Sequence, residues 1–327
     1  MLTAVIGTGT WGTASAAQLA HAGHPVLLWG RDAAKTAALT ADHAHPQLPG
    51  CRLPDHLVIT ADPATLAGAD LILWAVPTQH TRASARHLHP FLSTGTPVVS
   101  LSKGLEEGSL LRVSEVLAAE LGPRPYACLS GPAMAPEIAI GRPAALVAAG
   151  DDATCRQLVE RLHGPRLRIY TSPDLIGVEL AGALKNVVAV AAGLCEGMGL
   201  GDNAKAALIT RGLAEMRRLG RALGALDATF AGLAGVGDLL TTCYSSHGRN
   251  RALGLALAAG TPPRDLLTRG GPVAEGAWTC RAAVELGRRA GIELPIAFQV
   301  ASVIWNATPV AFALDQLLAR APKEEDA

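Results

Sequence analysis

The string Val5-Ile6-Gly7-Thr8-Gly9-Thr10-Trp11-Gly12 leaves a short apolar run (residues 2–6) and enters an alanine-rich helical run (residues 13–22). This is a G-x-G-x-x-G pattern, and its three glycines answer three separate demands. Gly7 allows a tight turn off a buried strand, Gly9 lets the backbone approach a pyrophosphate, and Gly12 lets the helix pack closely on the strand. A pyrophosphate would sit over the helix N-terminus, where free N–H groups and the helix dipole favour negative charge. Such a pattern says little by itself in a chain with 35 glycines. The strand before it, the helix after it and a second apolar run at residues 24–29 together predict a dinucleotide-binding βαβ unit.

That unit opens a longer alternation. Strand-like runs at residues 3–6, 25–29, 57–60, 70–76, 97–100, 126–130, 144–149 and 167–170 are separated by helical segments such as 81–92 and 109–121. Most of these runs are continuously apolar, as expected of strands covered on both faces. The fold class predicted is α/β: a Rossmann-like, doubly wound parallel sheet. From about Thr171 helical periodicity takes over, at residues 175–198, 203–223, 249–259, 276–290 and 294–306. Pro173 and Asp174 read as the turn and N-cap that open the first of these helices. The expected division is an NAD(P)-binding domain over residues 1–173 and an all-helical substrate-binding domain over residues 174–327.

Charge narrows the function. Twenty-eight lysines and arginines balance 28 aspartates and glutamates, which argues against a nucleic-acid or membrane-surface protein, whose affinity comes from excess positive charge. The longest apolar stretch, residues 178–200, is interrupted by Glu179, Lys185, Asn186 and Glu196, which a lipid-facing span does not tolerate cheaply. The first apolar run is too short, and lacks the basic flank, for a secretory signal. A cytoplasmic protein without membrane insertion is expected. Six scattered cysteines without a C-x-x-C pair suggest buried thiols and no metal site. The histidines lie in polar surroundings and read as surface residues.

Several segments carry groups suited to chemistry. Trp29-Gly30-Arg31-Asp32 ends the second strand about twenty residues past Gly12. Asp32 there suits the adenosine ribose of NAD, while Arg31 suits the 2′-phosphate of NADP, and Asp32 can equally well cap the helix that begins at Ala33. The cofactor expected is NADP(H) or NAD(H), with a lean to NADP(H) through Arg31. Val76-Pro77-Thr78, Ser102-Lys103-Gly104 and Ser130-Gly131-Pro132-Ala133 follow strand ends, where open α/β sheets bind ligands. Lys185 and Asn186 interrupt an apolar helix. A lysine held in a partly desolvated cleft has a lowered pKa and can pass a proton to a carbonyl oxygen during hydride reduction. Ser246-His247-Gly248-Arg249-Asn250 starts a helix and places a guanidinium at an N-terminus, an arrangement for phosphate. Val273-Ala274-Glu275-Gly276 opens another helix, and Glu275 can favour the dipole there or reach the cofactor.

Taken in order, GTGTWGTA, KGLE, SGPAMAPE, the lysine-asparagine helix, GLAGVGDLLTTC, GRNRALG and VAEG make the chain resemble the NAD(P)-dependent glycerol-3-phosphate dehydrogenases of bacterial type over nearly its whole length. The resemblance implies an oxidoreductase that reversibly reduces dihydroxyacetone phosphate to sn-glycerol 3-phosphate for glycerophospholipid synthesis. It implies Lys185 as proton donor and acceptor, and Lys103 as a contact to both cofactor and substrate. Gly131 and Ala133 fall on substrate-side positions, and Asp238 holds the substrate's polar end or orients Lys185. Gly248, Arg249 and Asn250 cradle the phosphate. Gly7, Gly9, Thr10, Trp11, Gly12, Arg31, Ala135, Val273 and Glu275 fall on cofactor positions, with Arg249 near both ligands. Four departures are visible: Ala133 where a hydroxyl residue is usual, Met134 for Phe, Gly248 for Ser and Gln47 for Tyr. A homodimer is a candidate assembly. Two other readings compete, the same fold with another hydroxy substrate and a non-catalytic redox sensor; Lys103, Lys185 and Asp238 together argue against the sensor.

Overall fold

The computed structural model describes residues 1–268, 274–322 and 324. One sheet is built from β1 (Thr3–Ile6), β2 (Val26–Trp29), β3 (Val58–Thr60), β4 (Leu71–Trp74), β5 (Val98–Ser100), β6 (Tyr126–Ser130), β7 (Ala144–Gly150) and β8 (Leu167–Ser172). Its strand order is β3-β2-β1-β4-β5-β6-β7-β8, and each strand lies at an expected apolar run. The reason these runs are apolar throughout is burial from both sides. Val5, Leu28 and Leu73 pack with α1 (Thr10–His21) and α6 (Asp152–Leu162) on one face. Ala4, Ile6, Leu27, Ile72 and Trp74 pack with α3 (Thr78–Leu88) and α4 (Val113–Leu121) on the other. Between β2 and β3 lies α2 (Ala33–Asp42).

The expectation of a wholly parallel sheet needs one correction. Strand β7 runs antiparallel to β6, with Ala127 opposite Gly150 and Ser130 opposite Val147. The link between them holds only the five-residue α5 (Ala135–Ala139), which packs on α1. A parallel return needs a full crossover, usually a longer helix. The next crossover has one, α6, and β8 is parallel to β7.

Beyond the sheet the described residues form helices: α7 (Leu175–Gly197), α8 (Gly201–Ala222), α9 (Asp227–Phe230), α10 (Asp238–Tyr244), α11 (Arg249–Ala258), α12 (Pro263–Thr268), α13 (Gly276–Ala290), α14 (Pro295–Trp305) and α15 (Val310–Leu318). Asp174 caps α7 as expected, accepting from the Gly177 N–H at 2.8 Å. Its other oxygen takes Leu226 N and Thr229 Oγ1, so one carboxylate also fixes the start of α9. The 23-residue α7 is long and apolar enough to cross a membrane, yet 89% of its most apolar window is buried in the fold. It is the helix about which the second half is built.

Helix α7 also fastens the two halves together. Its first turns share a core with Cys128, Val147 and Ala149 of the sheet. Buried Glu179 accepts from Ser114 N (2.8 Å), Ser114 Oγ (2.6 Å) and Arg112 Nη1 (2.7 Å), tying α7 to α4. On the opposite side α11 lies against α7 with almost no side chain between them. A Cβ on Gly254 would fall 2.1 Å from Val190 O, and one on Gly193 would fall 2.1 Å from Arg251 O. These glycines are what bring the two backbones into contact. Gly254→Ala is therefore expected to push the helices apart and cost roughly 1–3 kcal/mol of stability, the usual penalty for overpacking. Denaturant unfolding of the two proteins measures it; an unchanged midpoint would show that the seam has slack.

Candidate active site

At the carboxyl end of β1 the glycine loop has the geometry its sequence demands. Gly7 has φ +119°, and a Cβ there would meet Ala75 O at 2.6 Å. A Cβ on Gly12 would meet Gly7 O at 2.1 Å, so helix and loop pack backbone to backbone. Gly9 is the N-cap of α1, without a side-chain cap, and a Cβ on it would have nothing within 4 Å. The first N–H groups of α1, at Thr10 and Trp11, thus look onto open space suited to a dinucleotide's pyrophosphate. Ala135 is buried at the first turn of α5, next to α1, and Ala133 is half-buried before it.

Arg31 is exposed at the end of β2. Asp32 accepts from Lys35 N at 3.0 Å and caps α2, so the capping alternative describes its observed bond. Among the histidines the expectation of surface positions fails at His45, which is 4% exposed. Its ring accepts from Gln47 N at 3.1 Å, and burial lowers its pKa. The six cysteines are all buried.

Three charged groups from three parts of the chain meet beyond β5. Lys103, in the loop after β5, donates from Nζ to Asp238 Oδ2 at 2.5 Å and to Gly131 O at 3.0 Å. Lys185, on the buried face of α7, donates from Nζ to Asp238 Oδ1 at 2.8 Å and to Thr242 Oγ1. One carboxylate is thus shared by two ammonium groups, and the cluster keeps an excess positive charge in a nearly closed space. Burial lowers the Lys185 pKa to about 8, with Asp238 opposing the shift and Lys103 reinforcing it. Two glycines make the meeting feasible. A Cβ on Gly235 would fall 2.1 Å from Phe230 O, so the turn leading into α10 needs bare backbone there. Gly182 lies against Ser130 beside the Lys103 stem, and a Cβ there would crowd Ser130 Oγ at 3.0 Å.

The asparagines do structural work beside this cluster. Asn186 donates to Lys103 O (3.2 Å) and Gly182 O (3.3 Å) and accepts from Asn250 Nδ2 (2.9 Å). Asn250 in turn accepts from Gly276 N (2.9 Å). Both ends of the Asn250 side-chain amide are engaged, so its part in an anion site falls to its backbone. Gly248 donates its N–H to Ser245 O, and a Cβ there would meet Thr242 O at 2.9 Å. Its lack of a side chain is explained by this close approach, and its N–H is already committed.

Arg249, the first residue of α11, stands exposed at the mouth of the cleft, and no side chain among the described residues hydrogen-bonds its guanidinium. Its neighbour in charge is Glu275. Glu275 is 9% exposed and accepts from Thr78 N at 2.9 Å, bridging the helical half to the loop after β4. Burial raises its pKa to about 7. Its Oε2 and Thr78 Oγ1 are buried without a hydrogen-bond partner among the described residues, and both border Gly104. Val273 lies outside the described residues.

Residues 7, 78, 103 and 131 all follow carboxyl ends of strands, so the cleft lies where open α/β sheets bind ligands. Sequence reading missed Thr242. A usable signal existed for Thr242, four residues after Asp238 and hence on the same helical face. Thr78 was expected in a strand-end loop at the cleft, but its bond to Glu275 was not, because that partner is 197 residues away.

The chain as a whole is similar to known proteins. Residues 3–156 match the family model for the NAD-dependent glycerol-3-phosphate dehydrogenase N-terminus, and residues 174–315 match that for its C-terminus. A Desulfitobacterium hafniense protein named glycerol-3-phosphate dehydrogenase, NAD(P)+, is 43% identical over 324 residues, covering 98% of this chain and 92% of its own. A Moorella thermoacetica protein of the same name is 45% identical over 320 residues, 97% and 95% of the two chains. The crystal structure of glycerol-3-phosphate dehydrogenase from Coxiella burnetii superposes with a TM-score of 0.93 at 38% identity, covering 98% of this chain and 99% of that one.

The buried ammonium has a thermodynamic signature. Lys185 releases its proton near 8 when folded and near 10.5 when unfolded. Between those values the unfolded chain binds more protons, so stability rises with pH across that window. Set against Lys185→Met, which removes the titration, the wild type should gain on the order of 3 kcal/mol between pH 8 and 10.5. Unfolding free energies of both proteins across that range measure it, and a constant difference would mean that Lys185 titrates as a solvated amine.

Proposed function

The chain belongs to the NAD-dependent glycerol-3-phosphate dehydrogenase family, and from that premise we propose how its cleft performs the family's reaction. The enzyme reversibly reduces dihydroxyacetone phosphate to sn-glycerol 3-phosphate with NAD(P)H, in supply of glycerophospholipid synthesis. It does so in the cytoplasm and as a homodimer. The observation that carries the reading is the sharing of Asp238 by Lys103 and Lys185 at the edge of a dinucleotide cradle.

The open N-terminus of α1 suits the pyrophosphate of NADP(H) or NAD(H). Arg31 suits a 2′-phosphate, because Asp32 is engaged as a helix cap. Gly7, Gly9, Thr10, Trp11, Gly12, Ala135 and Glu275 complete the cofactor's surroundings, and Val273 is assigned to them by resemblance. When bound there, the nicotinamide supplies the hydride. Every other task falls to side chains of this protein.

Lys185 is the proton donor to the substrate oxygen. A pKa of about 8 leaves the amine charged near neutral pH yet ready to release its proton. Asp238 orients the amine and prevents its burial as an isolated charge, and Thr242 accepts a second of its hydrogens. Lys103 brings a second positive charge to the place where negative charge develops, which is the largest single contribution in many such reactions. Gly131 and Ala133 line the substrate side through their backbone. The phosphate is held by the Arg249 guanidinium and by main-chain N–H groups at the start of α11, Asn250 among them. Gly248 shapes this turn. Placing the phosphate on α11 and the proton donor on α7 fixes the ketone by its two ends, and orientation of this kind supplies several kcal/mol of rate advantage.

Lys185→Ala is expected to abolish turnover while leaving cofactor affinity nearly unchanged, as read by steady-state kinetics and fluorescence titration with NADPH; near-normal turnover would refute the proton donor. Arg249→Ala should chiefly raise KM for dihydroxyacetone phosphate, by about 10- to 100-fold for one charge-assisted contact, and an unmoved KM would remove the phosphate site from α11. Arg31→Glu should weaken NADPH by a similar factor and spare NADH, so equal losses for both would place the 2′-phosphate elsewhere.

A further inference from the structure

The loop that carries Lys103 is held in a shape its own residues would not choose. It runs from Lys103, after β5, to Arg112, the N-cap of α4. Within it Leu110 has φ +67°. The left-handed region is uncommon for any side chain and a clear outlier for a bulky one. Among the described residues two other non-glycine residues have positive φ, His43 and Ala307. Both stand at helix ends, where a left-handed residue is usual. Leu110 follows no helix. Strain of this kind persists only where the surroundings over-determine the chain, and it gathers at functional sites.

Here the surroundings act from two sides. From the helical half, a core takes in the side chains of Leu105 and Leu110, and Arg281 of α13 pairs with Glu107 at 2.8 Å. From the sheet half, the start of α3 grips the loop residue by residue. A Cβ on Gly104 would meet Thr78 Oγ1 at 2.6 Å. The Gln79 amide donates to Leu105 O at 2.8 Å and accepts from Glu107 N at 2.9 Å. Between those two bonds Glu106 is buried and takes Arg82 at both oxygens, Nε to Oε1 at 2.9 Å and Nη2 to Oε2 at 2.7 Å. Ser109 Oγ donates to the same carboxylate, and Leu110 N donates to Glu106 O at 2.9 Å. Glu106 therefore also closes the strained turn. Arg82 is itself held by Glu120 of α4 at 2.6 Å.

We propose that Glu106, clamped by Arg82, is a positioning residue that keeps Lys103 on Asp238. The inference rests on the roles given above to Lys103 and Lys185. Lys103 stands on backbone that belongs to neither helix nor strand, so its place depends on the nearest fixed points of the loop. Its bonds to Asp238 and Gly131 lie inside the cleft, where an anionic substrate competes for the same ammonium group. The Arg82–Glu106 pair lies between α3 and α4 and bonds to no residue of the cleft, so binding leaves this anchor intact. Lys103 also acts on the proton donor. Lys185 faces Asp238, Thr242, Cys243 and Lys103, and the charge of Lys103 helps to hold its pKa near 8. Loosening Lys103 would raise that value, which a mere loss of stability does not do.

Steady-state kinetics of the full-length protein at saturating NADPH, from about pH 6 to 10, test this. In the wild type kcat/KM for dihydroxyacetone phosphate should fall above a pH of about 8, as Lys185 loses its proton. Glu106→Ala should lower kcat/KM by about 10- to 100-fold, the usual cost of a small misplacement, and move the alkaline limb to higher pH. Glu106→Gln keeps the shape and one acceptor for Arg82, and should lose less. Arg82→Ala cuts the pair at a half-buried residue of α3 without touching the loop, and should reproduce both effects of Glu106→Ala. Circular dichroism checks that each variant folds. A wild type with no limb near 8 would overturn the proton donor and the positioning role together. With that limb present, folded variants that match the wild type in rate and limb would overturn the positioning role alone. Lost activity with an unmoved limb would do the same, by leaving Glu106 a structural part only. If Glu106→Ala does not fold, Arg82→Ala decides by the same two readings.

Discussion

The carboxylate of Asp238 is the point at which the two halves of this molecule become one site. It takes Lys103 from the sheet's connecting loops and Lys185 from the central helix. Removing a carboxylate from such a cluster would leave two ammonium groups crowded together, and uncompensated charge in a closed space is among the costlier things a protein can hold. The rest of the architecture follows from the need to keep these atoms in place. The turn before α10 admits only glycine at position 235, and α10 itself presents Asp238 and Thr242 on one face. Two charges against one also leave a surplus that the protein alone does not neutralise, and this makes the cluster a receptor for negative charge.

Holding Lys185 and Arg249 in a fixed relation requires that helices α7 and α11 not slide. The glycines at 193 and 254 bring their backbones together, and the Asn186–Asn250 pair spans them with a hydrogen bond of 2.9 Å. Glu196 continues the tie at the far end of α7, binding Arg251 of α11 and Lys205 of α8. Steric contact fixes separation, and these polar bonds fix register. The spacing between Lys185 and Arg249 is therefore a property of the helix pair, independent of any flexible loop.

Much of this could be read in the sequence, for reasons that differ from element to element. The eight strands and the long helices were legible because burial on two faces, or on one stripe, leaves a periodic trace. The antiparallel β7 was not, because strand direction depends on where a 13-residue link goes, and α5 packs sideways on α1. Helix α10 is too short to show a period. Lys185 announced itself as a charge inside an apolar helix. Asn250 and Gly248 were expected at a phosphate site, and their own hydrogen bonds, visible only in three dimensions, give them the work of shaping the turn.

The unsatisfied groups of the cleft form a coherent set. Among the described residues Arg249 lacks a hydrogen-bonding side-chain partner, the lysine pair carries an uncancelled charge, and the N-terminus of α1 is open. Each of these calls for an anion, and the cofactor and substrate together bring a pyrophosphate, a phosphate and a developing alkoxide. Glu275 is the exception that completes the logic. Its Oε2 is buried without a partner beside Thr78 Oγ1, so it calls for a hydrogen-bond donor. In an ordinary core such groups would be errors, since an unpaired buried polar atom costs about 1–3 kcal/mol. Gathered in one cleft at the ends of four strands, they fit the proposed function, in which stability withheld from the protein alone is returned when both ligands bind. The lowered pKa of Lys185 belongs to the same arrangement: burial that makes its charge costly to keep is what makes its proton easy to give.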